Sequence, residues 1–253
     1  MILIMKKTNI ILGSLILAFA LAIIGINIVV GNEPSDNKTI EVNTIPTLIT
    51  VGKTVVVDAG HGGEDPGAVS KFSGACEKNI TLQIADSTRL LLEKAGYTVI
   101  MTRTEDTLVY EGDNLSMTAK RRQDLLRRKK IMDESGADIV ISIHLNAFTD
   151  QKYSGAQAFY TKESLSSKKL AICLQDSMRA FLDENNKREA ILKADDIIIT
   201  KDCKVTTVLL ECGFLSNEDE EKKLIDPNYQ QKIAEAIKAG VDAYFTVEVP
   251  EKK

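Results

Sequence analysis

Apolar and polar positions divide the chain into stretches of different character. Residues 10–30 carry no charge, and only Gly13, Ser14, Gly25 and Asn27 interrupt the apolar run. At ~1.5 Å per residue a helix of that length matches a hydrocarbon core of ~30 Å. Lys6 and Lys7 precede the run, and no Lys or Arg comes after it until Lys38. The positive-inside bias therefore predicts a cytoplasmic N-terminus and export of residues 31–253. Residues 1–30 read either as an uncleaved transmembrane signal anchor or as a signal peptide, whose usual apolar region is shorter. Residues 31–53 are polar, with Pro34 and Pro46, and read as an extracytoplasmic linker. From Thr54 the pattern is dense and regular, giving one domain over 54–247 and a short tail over 248–253.

Within the domain, β-branched or wholly apolar runs predict strands at 54–58, 97–102, 138–143, 156–160, 197–199 and 205–210. Ile80, Ile84, Thr88, Leu91 and Ala95 keep helical spacing, with Gly96 as the C′ residue. Residues 118–135 read as helical, and Leu170, Leu174, Met178 and Phe181 mark a further helix. Asp226-Pro227 is an N-cap with Pro at the first helical position, ahead of the stripe Tyr229, Ile233, Ile237, Val241 and Tyr244. Continuous apolar strands alternating with amphipathic helices predict an α/β fold, a mainly parallel twisted sheet with helices on both faces. Sites in such folds form beyond the carboxyl ends of the strands.

Those ends carry the chemistry. The chain has only two histidines, and each follows or ends a predicted strand. His61 stands in Asp58-Ala-Gly-His-Gly-Gly63, and His144 in Ser142-Ile-His-Leu-Asn146. A lone histidine is usually a structural residue, but this pair points to a shared metal site, and imidazole suits zinc. The glycines around His61 match neither phosphate-loop spacing and give backbone room for a turn. Two acids are candidates for further roles. Glu77 opens a predicted helix, where an acid also favours the helix dipole. Glu211 closes the 205–210 strand, where burial demands a cationic partner.

Charge and composition narrow the function. Lys and Arg total 32 against 36 Asp and Glu, a net charge of −4, which excludes a generally basic nucleic-acid binder. Trp is absent, so stacking platforms are sparse. The seven basic residues between Lys120 and Lys130 suggest either a solvated helix face or contact with an anionic wall polymer. Arg128 lies on the apolar stripe of that helix and needs an acid or carbonyl partner, from scaffold or substrate. Asn146 either orients substrate or caps its loop. Four cysteines, Cys76, Cys173, Cys203 and Cys212, do not make a disulfide framework. Cys76 and Cys212 neighbour the two acids, so thiolate ligation or a disulfide stands beside the reading of Cys212 as a small buried apolar residue.

Four segments together resemble the zinc-dependent N-acetylmuramoyl-L-alanine amidases of the "amidase 3" family. They are Val57-Asp-Ala-Gly-His-Gly-Gly-Glu-Asp-Pro-Gly-Ala68, Glu77, Ser142-Ile-His-Leu-Asn146 and Glu211-Cys-Gly-Phe-Leu-Ser-Asn217. The resemblance implies zinc as cofactor, His61, Glu77 and His144 as its ligands, and Glu211 as the catalytic glutamate. It departs from the family at Ala59 and at Thr206-Thr207, where proline is common, and neither departure touches a ligand. It implies peptidoglycan as the partner, a membrane contact only through the N-terminal segment, and an extracytoplasmic place in the envelope or forespore intermembrane space. An anchor with a bare catalytic domain looks most like the germination-specific branch, which acts on spore cortex toward muramic-δ-lactam. Some members answer to activator proteins, so such a partner is an expectation too. The rival readings are a catalytically silent wall-binding or scaffold protein, and another zinc hydrolase acting on wall polymer.

Overall fold

The computed structural model describes residues 52–161, 164–193 and 197–246. The predicted membrane or signal segment, nearly all of the linker and the tail lie outside them. Among the described residues no helix is long and apolar enough to cross a membrane.

The fold is mixed α/β around one six-stranded sheet. Its strands are β1 (Thr54–Ala59), β2 (Thr98–Met101), β3 (Ile139–Asn146), β4 (Gln157–Tyr160), β5 (Ile191–Leu192) and β6 (Thr206–Phe214). Its helices are α1 (Glu77–Lys94), α2 (Met117–Glu134), α3 (Leu165–Leu182), α4 (Glu218–Leu224) and α5 (Pro227–Thr246). The strand order is β2-β1-β3-β6-β4-β5. The pairings β1–β2, β1–β3, β3–β6 and β4–β5 are parallel, and β4 runs antiparallel to β6.

Strand alternation explains why both faces of β1 over Val55–Val57 and of β3 over Ile139–Ile141 are apolar. Val55, Val57, Ile139, Ile141 and Ile143 face a core with Ile84 and Leu92 of α1, Leu170 and Leu174 of α3, and Ile233 and Ile237 of α5. Val56 and Val140 turn the other way and pack with Met132 of α2 and with Ile199. Burial on both sheet faces removes the polar half of the usual strand pattern.

The expected strand at 197–199 is a turn, in which Thr200 and Lys201 both donate backbone N–H to the Ile197 carbonyl. Its apolar character has a different cause: Ile199, 2% exposed, covers the α2 face of the sheet. The last strand does not stop at residue 210 but runs to Phe214. Its register against β3 shifts between His144 and Asn146, so Glu211 lies within the strand, beside His144. The C′ glycine has φ 93° at Gly96. Pro227 is the first residue of α5.

Candidate active site

His61 follows β1 in a left-handed conformation, φ 62°, which is uncommon for a residue with a Cβ. Two buried arginines fasten this turn. Arg128 of α2 donates to the carbonyls of Ala59 and His61, and Arg103 donates to those of Ala59 and Gly60. Arg128 is 1% exposed and pairs with Asp58 at 3.1 Å and Asp124 at 2.6 Å. Its partner is therefore scaffold. Burial pushes the Asp58 carboxyl up, but Arg128 and hydrogen bonds from Ser142 and Thr102 outweigh it and hold the group below its ordinary range.

Glu77 is the first residue of α1, and Cys76 before it supplies no side-chain cap. Its carboxylate is fixed by backbone instead: Ala68 N–H donates to Oε2 at 2.8 Å and Leu145 N–H to Oε1 at 2.9 Å. Oε1 also lies 3.0 Å from His144 Nδ1 and 3.3 Å from His61 Nε2. The predicted trio His61, Glu77 and His144 thus converges, with one donor atom from each within 4.8 Å of the others. Burial disfavours the Glu77 anion, but hydrogen bonds with both histidines outweigh it and hold its pKa well below the ordinary value. Burial likewise opposes a charged His61, yet Asp65 and Glu77 raise its pKa to about 9. Carboxylates here surround a place for positive charge.

Glu211 stands beside this trio, in register with His144 across β3–β6. Its Oε2 and His144 Nε2 are buried without hydrogen-bond partners. Burial raises the Glu211 pKa, and the charge of Glu77 adds to the rise against the histidines. His61, His144 and Glu211 line a cavity of about 390 Å³, with Leu108, Leu125, Ile199 and Leu209 among its walls. An unpaired carboxylate oxygen of raised pKa in such a cavity suits proton transfer.

Gly60 and Gly67 make the close approach possible. A Cβ at Gly60 would lie 2.5 Å from His144 Cε1, and one at Gly67 would lie 2.5 Å from Glu77 Oε2. Gly60→Ala is therefore expected to displace the imidazole and weaken zinc binding by at least ~10-fold, the scale seen when groups supporting a ligand are removed. Calorimetric zinc titration of the metal-stripped protein checks this, and an unchanged affinity would show that the His144 ring is free to move aside.

Other expectations resolve locally. Asn146 Oδ1 accepts from Ala147 N–H at 2.9 Å, a loop cap. All four cysteines are free, so Cys76 and Cys212 form no disulfide. Cys212 points into the core opposite Glu211, and burial raises its thiol pKa far above the ordinary value. Of the basic helix, Lys120 pairs with Glu64 and Lys129 with Asp133. Sequence reasoning missed Asp65, whose Oδ2 lies 2.8 Å from His61 Nδ1, and Arg121, which pairs with Asp65 Oδ1 at 2.6 Å. The one signal for Asp65 is its place four residues after His61 in the same glycine-rich turn.

Comparison with known proteins bears on this arrangement. The family model of N-acetylmuramoyl-L-alanine amidases, Amidase_3, matches residues 55–243. The chain is 40% identical over 195 residues to the germination-specific N-acetylmuramoyl-L-alanine amidase of Bacillus subtilis, covering 77% of this chain and 81% of that one. It matches the CwlD amidase of Clostridioides difficile, solved in complex with the GerS lipoprotein, at a TM-score of 0.75. That match is 45% identical and covers 78% of this chain and 100% of that one. An N-acetylmuramoyl-L-alanine amidase from Clostridium difficile 630 gives a TM-score of 0.68 and 30% identity, covering 79% of this chain and 100% of that one.

Proposed function

The chain belongs to the N-acetylmuramoyl-L-alanine amidase family, and we propose that it cleaves the amide joining the lactyl group of N-acetylmuramic acid to L-alanine in peptidoglycan. The cortex of the spore is the site of action, in line with the germination-specific relative. The reaction is extracytoplasmic: residues 1–30 anchor or export the chain, 31–53 link it, and 54–247 form the catalytic domain. A lipoprotein activator is a further proposed partner, on the precedent of the CwlD–GerS complex.

Two imidazoles and a carboxylate are the donor set of a catalytic zinc site with a position left open. The unpartnered His144 Nε2 and the carboxylates around His61 fit that use. His61, Glu77 and His144 would hold the ion. A zinc ion held there would supply Lewis acidity toward the scissile carbonyl and a bound water. The chain's own groups do the rest. Asp65 accepts a hydrogen bond from His61 Nδ1 and so fixes the ring with Nε2 toward Glu77. The Ala68 and Leu145 N–H groups keep both Glu77 oxygens in place. Glu211 takes the proton of the attacking water and delivers it to the leaving amine of L-alanine. Leu108, Leu125, Ile197, Ile199 and Leu209 form the apolar part of the cavity wall beside these charged groups.

The observation that carries this reading is the buried, unpartnered Glu211 Oε2 beside the converged His61–Glu77–His144 trio. Mass spectrometry of purified cortex peptidoglycan digested by the zinc-loaded full chain tests it. Free peptides beginning at L-alanine and intact glycan strands are expected. Shortened glycan, or cuts between stem residues, would mean a different wall hydrolase, and no release at all, even with a lipoprotein activator added, a silent binding protein.

A further inference from the structure

We propose that Glu220 is a positioning residue for Glu211, its carboxylate closing the sheet at the point where the strand pairing around Glu211 ends. This deepens the amidase reading and rests on it. Glu211 sits at a boundary of the sheet. It pairs with Gln157, the first residue of β4, and is the last residue of β6 that β4 holds. On its other side it pairs with His144, the last row before the register against β3 shifts. Between that row and the next, Asn146 with Phe214, β3 has Leu145 alone while β6 has Cys212 and Gly213. Such a bulge leaves one residue without a partner and disrupts the ladder. Regular pairing of β6 therefore stops on the β4 side, and is interrupted on the β3 side, at the residue assigned to proton transfer.

Glu220 of α4 takes over there. Its Oε2 accepts the Phe214 N–H and its Oε1 the Gly155 N–H, each at 2.8 Å. Phe214 lies just past the bulge on β6, and Gly155 lies just ahead of Gln157 on the way into β4. One carboxylate thus joins the two chains beyond the Glu211–Gln157 row, in place of the ladder bonds that stop at it. The bulge packs close against the same group, since a Cβ on Gly213 would lie 3.4 Å from Glu220 Oε2. Asn217 steadies the brace, its Oδ1 accepting the Glu220 N–H at 3.1 Å. The arrangement calls for a carboxylate. It offers an acceptor to each of two N–H groups on buried residues, whereas an amide offers one acceptor and turns its NH2 toward the other donor. Glu220 lies outside the cavity lining, so its effect on rate passes through Glu211. Proton transfer is sensitive to such support, because an error of ~1 Å in placement costs ~10²-fold.

The test is a double-mutant cycle on the zinc-loaded full chain, with a soluble tetrasaccharide muropeptide as substrate. Glu220→Gln is expected to lower kcat by ~10-fold, the scale of a displacement below 1 Å, with KM and zinc affinity near native. In a Glu211→Gln background the same substitution should change kcat by less than ~2-fold, because the group it positions is already lost. A residue that only holds the domain together would lower the rate equally in both backgrounds. Glu220→Asp keeps the charge and both acceptors on a shorter arm and should also lose rate, which marks placement rather than charge. It carries the cycle if Glu220→Gln does not melt cooperatively. An unchanged kcat in Glu220→Gln overturns the proposal alone. So does a fall that tracks zinc loss, or an equal fall with and without Glu211. Near-native turnover in Glu211→Gln overturns the role given to Glu211, and a native chain that hydrolyses nothing even with a lipoprotein activator added overturns the amidase reading; either takes this proposal with it.

Discussion

Glu211→Gln is expected to lower kcat by at least ~10²-fold while zinc stays bound, because general acid–base groups contribute ~10²–10⁴-fold. The substitution keeps size and hydrogen-bonding capacity and removes the base. Substrate affinity should change far less, since the loss lies in the transition state. Glu77→Gln should behave in the opposite way. Glu77 Oε1 sits between the two imidazoles, so the amide weakens the metal site itself. Zinc titration beside single-turnover rates on both variants separates the two roles. If Glu211→Gln loses zinc while Glu77→Gln keeps it, the acids are reversed. Near-normal turnover in Glu211→Gln would remove it from the chemistry.

The second large effect is on stability. Arg128→Met should destabilise the domain by ~3–5 kcal/mol, because it strands the buried carboxylate of Asp58 without its cation and leaves Asp124 only Arg127, at 3.2 Å. For a domain of this size that is a melting shift on the order of 10 °C. The measurement belongs in chelator, so that loss of metal does not add to it. The pH dependence gives a second check. In the native chain the folded Asp58 carboxyl is held below its ordinary pKa, despite burial, by Arg128 and by Ser142 and Thr102. Its stabilising contribution is full above the unfolded pKa of ~3.9 and is lost as pH falls through the lower folded value. Without Arg128, burial dominates and the folded pKa rises, so acid relieves the stranded charge. The urea midpoints of the two proteins should therefore converge as pH falls toward ~4. A constant gap would show that Arg128 acts through packing alone.

The site was legible where chemistry is rare and strand ends are sharp. Two histidines in the whole chain, each after a β-branched run, could be placed at one sheet edge from periodicity alone. Glu77 and Glu211 could be found as candidates the same way, but their division of labour came from resemblance. Periodicity could not show which group satisfies which. Arg128 was visible on the apolar stripe, yet its grip on the His61 carbonyl joins residues 67 positions apart. Arg121 was hidden in a basic run whose members look alike in sequence and differ only by direction on α2. The misread strand at 197–199 has the same root: a triplet of isoleucines looks alike whether it pairs in a sheet or covers one. β4 gave a strand signal but no sign that it runs antiparallel to β6, since direction depends on the connection rather than the residues.

The position of β6 bears on how the chain comes to be made. It is the last strand in sequence, yet it lies between β3 and β4 in the sheet. His61, Glu77 and His144 have all left the ribosome well before Glu211 does. Until residues 206–214 emerge, β3 keeps an open edge and the β4–β5 pair has no sheet to join. A nascent chain short of that point lacks Glu211 and exposes apolar strand edges that invite mispairing. Insertion of one late strand closes the sheet and brings Glu211 beside His144 in the same event.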